Sequence, residues 1–321
     1  MTTGCHAHSV DLTLPEASEL AAVYALESIK GFGPQKFREV TAAGLTATDV
    51  LDAPSKLPIA GRRGDAFRQA LDELTRSGIG EFERRAEAQL SRARDNAASI
   101  LLHGDAQYPQ ALRQSNNPVP VLYVRGDLRL LTHARSVACV GSRAIKEPYR
   151  QLQEDFVTAA ASAGWLIVSG FAAGADTVSH RAARDADGLT ACVMPCGLDR
   201  PFPPENRPLW REFLDYPGAV LVSEFPFGTA ASALTLSKRN KTIVGLSHGA
   251  LIGQASATGG AMYAFRFAQE QHKPVATFAA DGTDETGGNT TITRKGGTTF
   301  SPDQSDHHAW RSWLDSLDPA L

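Results

Sequence analysis

Apolar positions recur with a helical period through the first third of the chain, then give way to short, nearly unbroken apolar runs. Within 16–96, EASELAAVYALESI reads as a helix ending at the turn KGFGPQK, and FREVTAAG restarts a helix that stops at Gly44. GDAFRQALDELTRSG and EFERRAEAQLSRARDNA follow as amphipathic segments rich in Arg and Glu. From 99 come SILLHG and VPVLYVRG, and then regularly spaced strand candidates: SVACVG (136–141), WLIVSG (165–170), TACVMPCG (190–197), AVLVSEFP (219–226), HGALIGQA (248–255) and PVATFAA (274–280). Helices are expected between them at 149–163, 175–186, 205–214, 236–245 and 260–271. These strands are apolar throughout rather than alternating, as strands covered on both faces are. The strand–helix alternation predicts a doubly wound, mainly parallel α/β sheet with right-handed crossovers. The expected layout is a flexible N-terminus (1–15), a helical domain (16–96), the α/β domain (97–300) and a short C-terminal tail (301–321).

Composition narrows this picture only a little. With 42% hydrophobic and 21% charged residues in 321, the chain reads as an ordinary soluble protein of about two domains. It has no apolar run of membrane-spanning length, and its first twenty residues lack the basic-then-apolar order of a signal peptide. Of four cysteines, Cys139 and Cys192 fall inside strand runs, which suits reduced thiols in the cytoplasm. Cys5, His6 and His8 lack a second ligand pair at zinc spacing, so no metal is expected, and no cofactor either. The net charge of −3 excludes a uniformly basic coat but not a local basic pocket.

The strand ends carry the candidate chemistry, because ligands of open α/β sheets bind beyond the carboxyl ends of the strands. Those ends are Gly141-Ser142-Arg143, Ser169-Gly170, Gly197 with Asp199, and Ser223-Glu224. A glycine there admits a ligand close to the backbone or simply terminates a strand; Arg143 adds a fork suited to phosphate. In SKRNKTIVGLS, Lys238, Arg239 and Lys241 surround Asn240 at an expected helix start, where cations oppose the macrodipole and an anionic ligand would remove the conflict. IKGFGPQKF (29–37) fits either a helix-hairpin-helix turn, with Lys30 and Lys36 near a phosphate, or a plain αα-corner.

These features, in this order, resemble the DNA-processing protein A (DprA, or SMF) family. The resemblance runs through YPQALRQSNNPVPVLYVRG, VACVGSR, GWLIVSGFAAGADTVSHRAA, MPCGLDRPFPPEN, LVSEFPFG, KRNKTIVGLS and GGNTTITRKGG, covering roughly 20–50 and 100–300. It implies an extended Rossmann-like α/β domain with a SAM-like helical N-terminal domain. It also implies single-stranded DNA binding in a basic pocket, homodimerisation, and loading of the RecA recombinase in recombination or natural transformation. By resemblance, Arg143 and the KRNK residues line that pocket. No counterpart of the family's frequent C-terminal winged-helix domain is expected, since only about 20 residues follow the sheet. Gln254 in GQA stands where relatives have Glu, and AADG replaces the usual Pro-Gly. A DprA-like component of an anti-phage or toxin–antitoxin module is the variant these departures suggest.

Two other classes compete. Phosphoribohydrolases of the related superfamily carry PGGxGTxxE, but TGGAMYAFR places Met262 and Tyr263 at Gly-Thr and Arg266 at the catalytic Glu. Arginine can neither activate water nor stabilise a ribosyl cation, so a binding protein is favoured over an enzyme. Glu224 and Asp176 remain acidic strand-end candidates. A nucleotide-binding sensor would use the same glycine-lined pocket. His180 could touch a ligand or pack on its helix, and Phe202, Phe225 and Phe227 could stack bases or fill the core.

Overall fold

A computed structural model of the protein describes residues 12–116, 118–301 and 307–317. Cys5, His6 and His8, with most of the expected flexible N-terminus, lie outside the described residues.

The chain begins with helices α1 (Ala17–Ser28), α2 (Pro34–Ala42), α3 (Ala47–Asp52), α4 (Gly61–Ser77) and α5 (Gly80–Asp95). Pro34 opens α2, where its missing N–H leaves nothing unsatisfied. Thr46 and Asp49 form a reciprocal capping box at the start of α3. Between α1 and α2, Phe32 is buried edge-on against Phe37 and Phe67, and Lys36 pairs with Glu39 at 2.6 Å. The glycine-rich turn is therefore a packed corner with one of its two lysines already held.

Strands and helices then alternate: β1 (Ala98–Leu102), α6 (Gln110–Arg113), β2 (Val121–Gly126), β3 (Ser136–Val140), α7 (Tyr149–Ser162), β4 (Leu166–Ser169), α8 (Ala175–Asp185), β5 (Thr190–Met194), α9 (Arg207–Asp215), β6 (Ala219–Ser223), α10 (Ala233–Gly245), β7 (Gly249–Ile252), α11 (Ala261–Glu270), β8 (Val275–Phe278), α12 (Gly287–Arg294), β9 (Thr298–Phe300) and α13 (His307–Asp315). They form one sheet in the order β1-β2-β6-β5-β4-β3-β7-β8-β9. The pairs β1–β2 and β2–β6 are antiparallel, and all the others are parallel. The doubly wound α/β expectation holds. Strands β3 to β6 step one way across the sheet and β7 to β9 the other, so the order reverses between β3 and β7.

Alternate residues of each strand serve opposite faces. Ile100, Tyr123, Cys192 and Leu221 join Leu20, Tyr24, Phe37 and Leu90 of the opening helices in one apolar cluster. The helical segment thus shares its core with the sheet, and a 2.6 Å hydrogen bond between the Tyr24 and Tyr123 hydroxyls crosses the junction. On the opposite face, Val140, Val168 and Ile252 pack with Ile243, Val244 and Phe265 of α10 and α11. After 300 the chain contributes one short helix, α13. Trp310, Trp313 and Leu314 of α13 are buried against Phe156 and Phe300, closing the face over β3, β7 and β8. Its sequence looks polar because only one stripe of a short helix is apolar.

Candidate nucleic-acid interface

The reversal of strand order opens a cleft of about 560 Å³ beyond the ends of β3 and β4. Its walls come from the β3–α7 loop, the start of α8, one face of α10 and the start of α11. Gly141, Ser142, Arg143, Arg239 and Asn240, widely separated in the chain, all line it. Such a switch point is where open α/β sheets bind ligands.

Close packing explains the residues at the β3 end. A Cβ on Gly141 would stand 2.8 Å from the Ala175 methyl and 3.2 Å from the Gln254 carbonyl, so only glycine lets β3, α8 and β7 converge. The Ser142 N–H donates to the Gln254 carbonyl at 2.7 Å, its carbonyl accepts from the Ala175 N–H at 3.0 Å, and its hydroxyl accepts from the Ala144 N–H at 3.1 Å. The Gln254 side chain accepts from the Lys146 N–H at 2.8 Å. A neutral amide at this position thus fastens the loop. Both backbone groups of Ser142 are thus committed, and Arg143 projects from the loop exposed, with no hydrogen bond or ion pair engaging its guanidinium among the described residues.

Arg239 forms the floor. It is 5% exposed and donates to the Gly170 carbonyl and, at 3.1 Å, to the Val193 carbonyl. Its other amino group lies 3.5 Å from the Asp176 carboxylate, which also accepts from the Ala172 N–H at 3.2 Å. Burial presses the Arg239 pKa down, with Asp176 opposing; burial pushes the Asp176 pKa up, with Arg239 and the Ala172 N–H opposing. Both partners are displaced toward neutrality, so desolvation outweighs their attraction. The Arg239 Nε is buried without a hydrogen-bond partner. An anion in the cleft would lessen the cost of Arg239 and add to that of Asp176. Asn240, 8% exposed, donates to the Gly260 carbonyl at 3.4 Å and ties α10 to the start of α11.

Other expected positions fall elsewhere. The buried Ser169 hydroxyl donates to the Cys139 carbonyl at 2.6 Å and does not line the cleft. Gly170 acts indirectly: its missing side chain is the space through which Arg239 passes. The KRNK stretch is not at a helix start. Ser232 and Thr235 form the capping box of α10, so residues 238–241 sit in its middle and the macrodipole conflict does not arise. Mid-helix, the four residues diverge. Arg239 and Asn240 face the cleft, whereas Lys238 and Lys241 influence Glu224, and Lys241 also lies 5.1 Å from the Phe267 ring. Glu224, its pKa raised by burial, accepts from Thr242 at 3.0 Å outside the cleft lining.

The remaining candidates serve packing. His180 is fully buried between Phe171 and Phe213, and its Nδ1 bonds Thr190 at 2.7 Å. Burial lowers its pKa to about 3. Asp199 accepts from the Gly228 N–H at 2.8 Å and pairs with Arg92 at 3.3 Å. Phe225 and Phe227 are buried, and Phe202 packs against the core. Tyr263, which the sequence reading weighed only as a missing glycosidase residue, lines the cleft and is 40% exposed.

A crevice at the switch point of a mainly parallel sheet, lined by one exposed and one buried arginine, defines a doubly wound α/β protein with a basic cleft. A family model described as DNA recombination-mediator protein A matches residues 99–307, and the chain belongs to that family. It is 30% identical over 204 residues to DNA processing protein DprA of Bacillus subtilis, covering 64% of this chain and 67% of that one. The chain spans about half to two thirds of the length of the first curated relatives it matches. The X-ray structure of DprA from Streptococcus pneumoniae superposes with a TM-score of 0.67 at 22% identity, covering 87% of this chain and 94% of that one. A Helicobacter pylori DprA, from a structure describing its single-stranded DNA binding mode, superposes at 0.59 with 25% identity, covering 68% and 95%.

Proposed function

We propose that the cleft binds the phosphodiester backbone of single-stranded DNA and that the protein acts as a recombination mediator. The observation that carries this reading is the exposed, unengaged Arg143 guanidinium beside the buried Arg239 at the sheet's switch point. The Helicobacter pylori relative's single-stranded DNA binding supports it. A flexible single strand can follow a pocketed path while its bases remain available for stacking.

The protein binds without catalysis. Asp176 is the one carboxylate among the described lining residues, and Arg239 and the Ala172 N–H hold it. It works in the cytoplasm as a homodimer that places two clefts on one surface and hands the strand to a RecA-type recombinase. The test is a titration with labelled single-stranded DNA, duplex DNA and mononucleotides at two salt concentrations. Single strands should bind best, with a log–log salt slope of about −0.7 per phosphate contact. Equal affinity for duplex, or tight binding of mononucleotides alone, would overturn the reading.

A further inference from the structure

Asn289 is the third residue of α12, fully buried and absent from the cleft lining. Its Oδ1 accepts from the Ala255 N–H at 2.9 Å. Its Nδ2 donates to the Gly253 carbonyl, to the Phe278 carbonyl at 3.0 Å and to the Thr277 hydroxyl at 2.9 Å. Carbonyls only accept and an N–H only donates, so one orientation of the amide satisfies this set. Asn289 thereby grips both peptide groups that flank Gln254. Gln254 in turn holds the loop that carries Arg143: its carbonyl accepts from the Ser142 N–H at 2.7 Å and its side chain from the Lys146 N–H at 2.8 Å. The N–H taken by Asn289 and the carbonyl that takes Ser142 belong to one planar peptide, so neither moves alone.

We propose that Asn289 is a positioning residue for Arg143, acting through the Gln254–Ala255 peptide and never touching the bound strand. The proposal rests on the single-strand reading of the cleft and adds what aims its exposed cation. With no partner for its guanidinium among the described residues, Arg143 is placed by its backbone alone. A drifting loop must be ordered when the strand binds, at a cost that a fastened loop does not carry. Gly288 reinforces the grip: its N–H donates to the Ala255 carbonyl at 2.8 Å, and a Cβ there would stand 2.7 Å from that oxygen. The opening of α12 thus serves the cleft without lining it.

Two readouts separate positioning from plain stability. Asn289→Ala strips partners from buried groups and lowers stability, so Trp310→Ala, outside the cleft lining, serves as the control. In hydrogen exchange without DNA, the Ser142 and Lys146 amides should exchange faster, relative to those of β4, in Asn289→Ala and not in Trp310→Ala. In titrations with a labelled single strand, Asn289→Ala should flatten the salt slope by about one contact, as Arg143→Ala does. The two losses should not be independent: their coupling should be roughly 2- to 150-fold in Kd, the range for residues acting through one network. Asn289→Asp keeps the size and the acceptor for Ala255 but loses the donors. It should give intermediate changes, and it carries the same tests should the alanine prevent folding. If the two amides exchange no faster, or the losses are independent while Arg143→Ala weakens binding, Asn289 does not position Arg143 and the phosphate cleft stands. If Arg143→Ala leaves binding unchanged, both fall.

Discussion

Arg239 reaches the Gly170 carbonyl only because Gly170 has no side chain: a Cβ there would overlap the guanidinium itself. The glycine at the end of β4 therefore positions a cation rather than touching a ligand. Gly170→Ala should displace Arg239, destabilise the protein by about 1–3 kcal/mol, and weaken single-strand binding in the fraction still folded. Urea unfolding with binding isotherms checks both; unchanged binding would remove Arg239 from the cleft's function.

The two arginines should respond differently to removal. Arg143 is exposed and holds nothing together, so Arg143→Ala should keep the unfolding midpoint within the usual surface range of about 0.5 kcal/mol. It should flatten the salt slope by about one contact. Arg239→Ala leaves Asp176 buried without its partner and should cost about 3–5 kcal/mol. Adding Asp176→Asn should recover part of that loss. A double variant no more stable than Arg239→Ala would show that the pair is not coupled.

Lys238 and Lys241 leave the cleft on the other side of α10 and act on Glu224. Lys238→Ala should change the salt slope less than Arg143→Ala does. Equal changes, measured on the same oligonucleotide, would mean the bound strand wraps around α10.

His180 supplies a pH dependence. Its pKa near 3 lies below the ordinary value of 6.5 because burial disfavours the cation. As pH falls, the unfolded chain takes up the proton first, so this stability is complete above about 6.5 and is lost toward about 3. The total is on the order of a few kcal/mol. Asp176 and Glu224, with raised pKa values, oppose it over part of that window, so the informative quantity is a difference. The unsubstituted protein minus His180→Gln, followed by urea midpoint from pH 7 to 3.5, should fall on acidification. A flat difference would contradict the assignment.

The C-terminal helix offers a structural test. Trp310 is 2% exposed and meets Phe156, Phe278 and Phe300 edge-on. Trp310→Ala should cost about 3–5 kcal/mol while leaving the folded protein's DNA affinity unchanged, since no residue of α13 lines the cleft.

Much of this was legible in the sequence. Uninterrupted apolar runs ending on glycine reveal two-sided strands, and β3 through β8 lie where those runs fall. Gly141, Ser142, Arg143, Arg239 and Asn240 could be named from their positions. Separating Lys238 and Lys241 from Arg239 required the phase of α10, which depends on the Ser232–Thr235 cap. That cap is recognisable, but Thr at the third position is weaker than the usual Glu or Gln. Glu224 lies at the end of β6, whereas the reversal lies between β3 and β7, and no local pattern discloses strand order. Tyr263 escaped notice because exposure of one ring is a tertiary property. Three-residue β9 is too short to leave a periodic signal.

The reversal of strand order also sets when the binding site comes into being. Val140 pairs with Ile252, so the edge of the cleft closes only after the whole β4 to β6 block has emerged and β7 has returned to the far side of β3. Long-range parallel pairing of this kind is slow, because loop closure precedes its reward. A truncated or half-folded chain would therefore carry the arginines but no place for them to act together. On the proposed reading, a bound strand would act as a clasp on the last seam to close, stabilising the finished fold by RT ln(1 + [L]/Kd). In cells, the supply of single strands would then govern how long each molecule survives proteolysis.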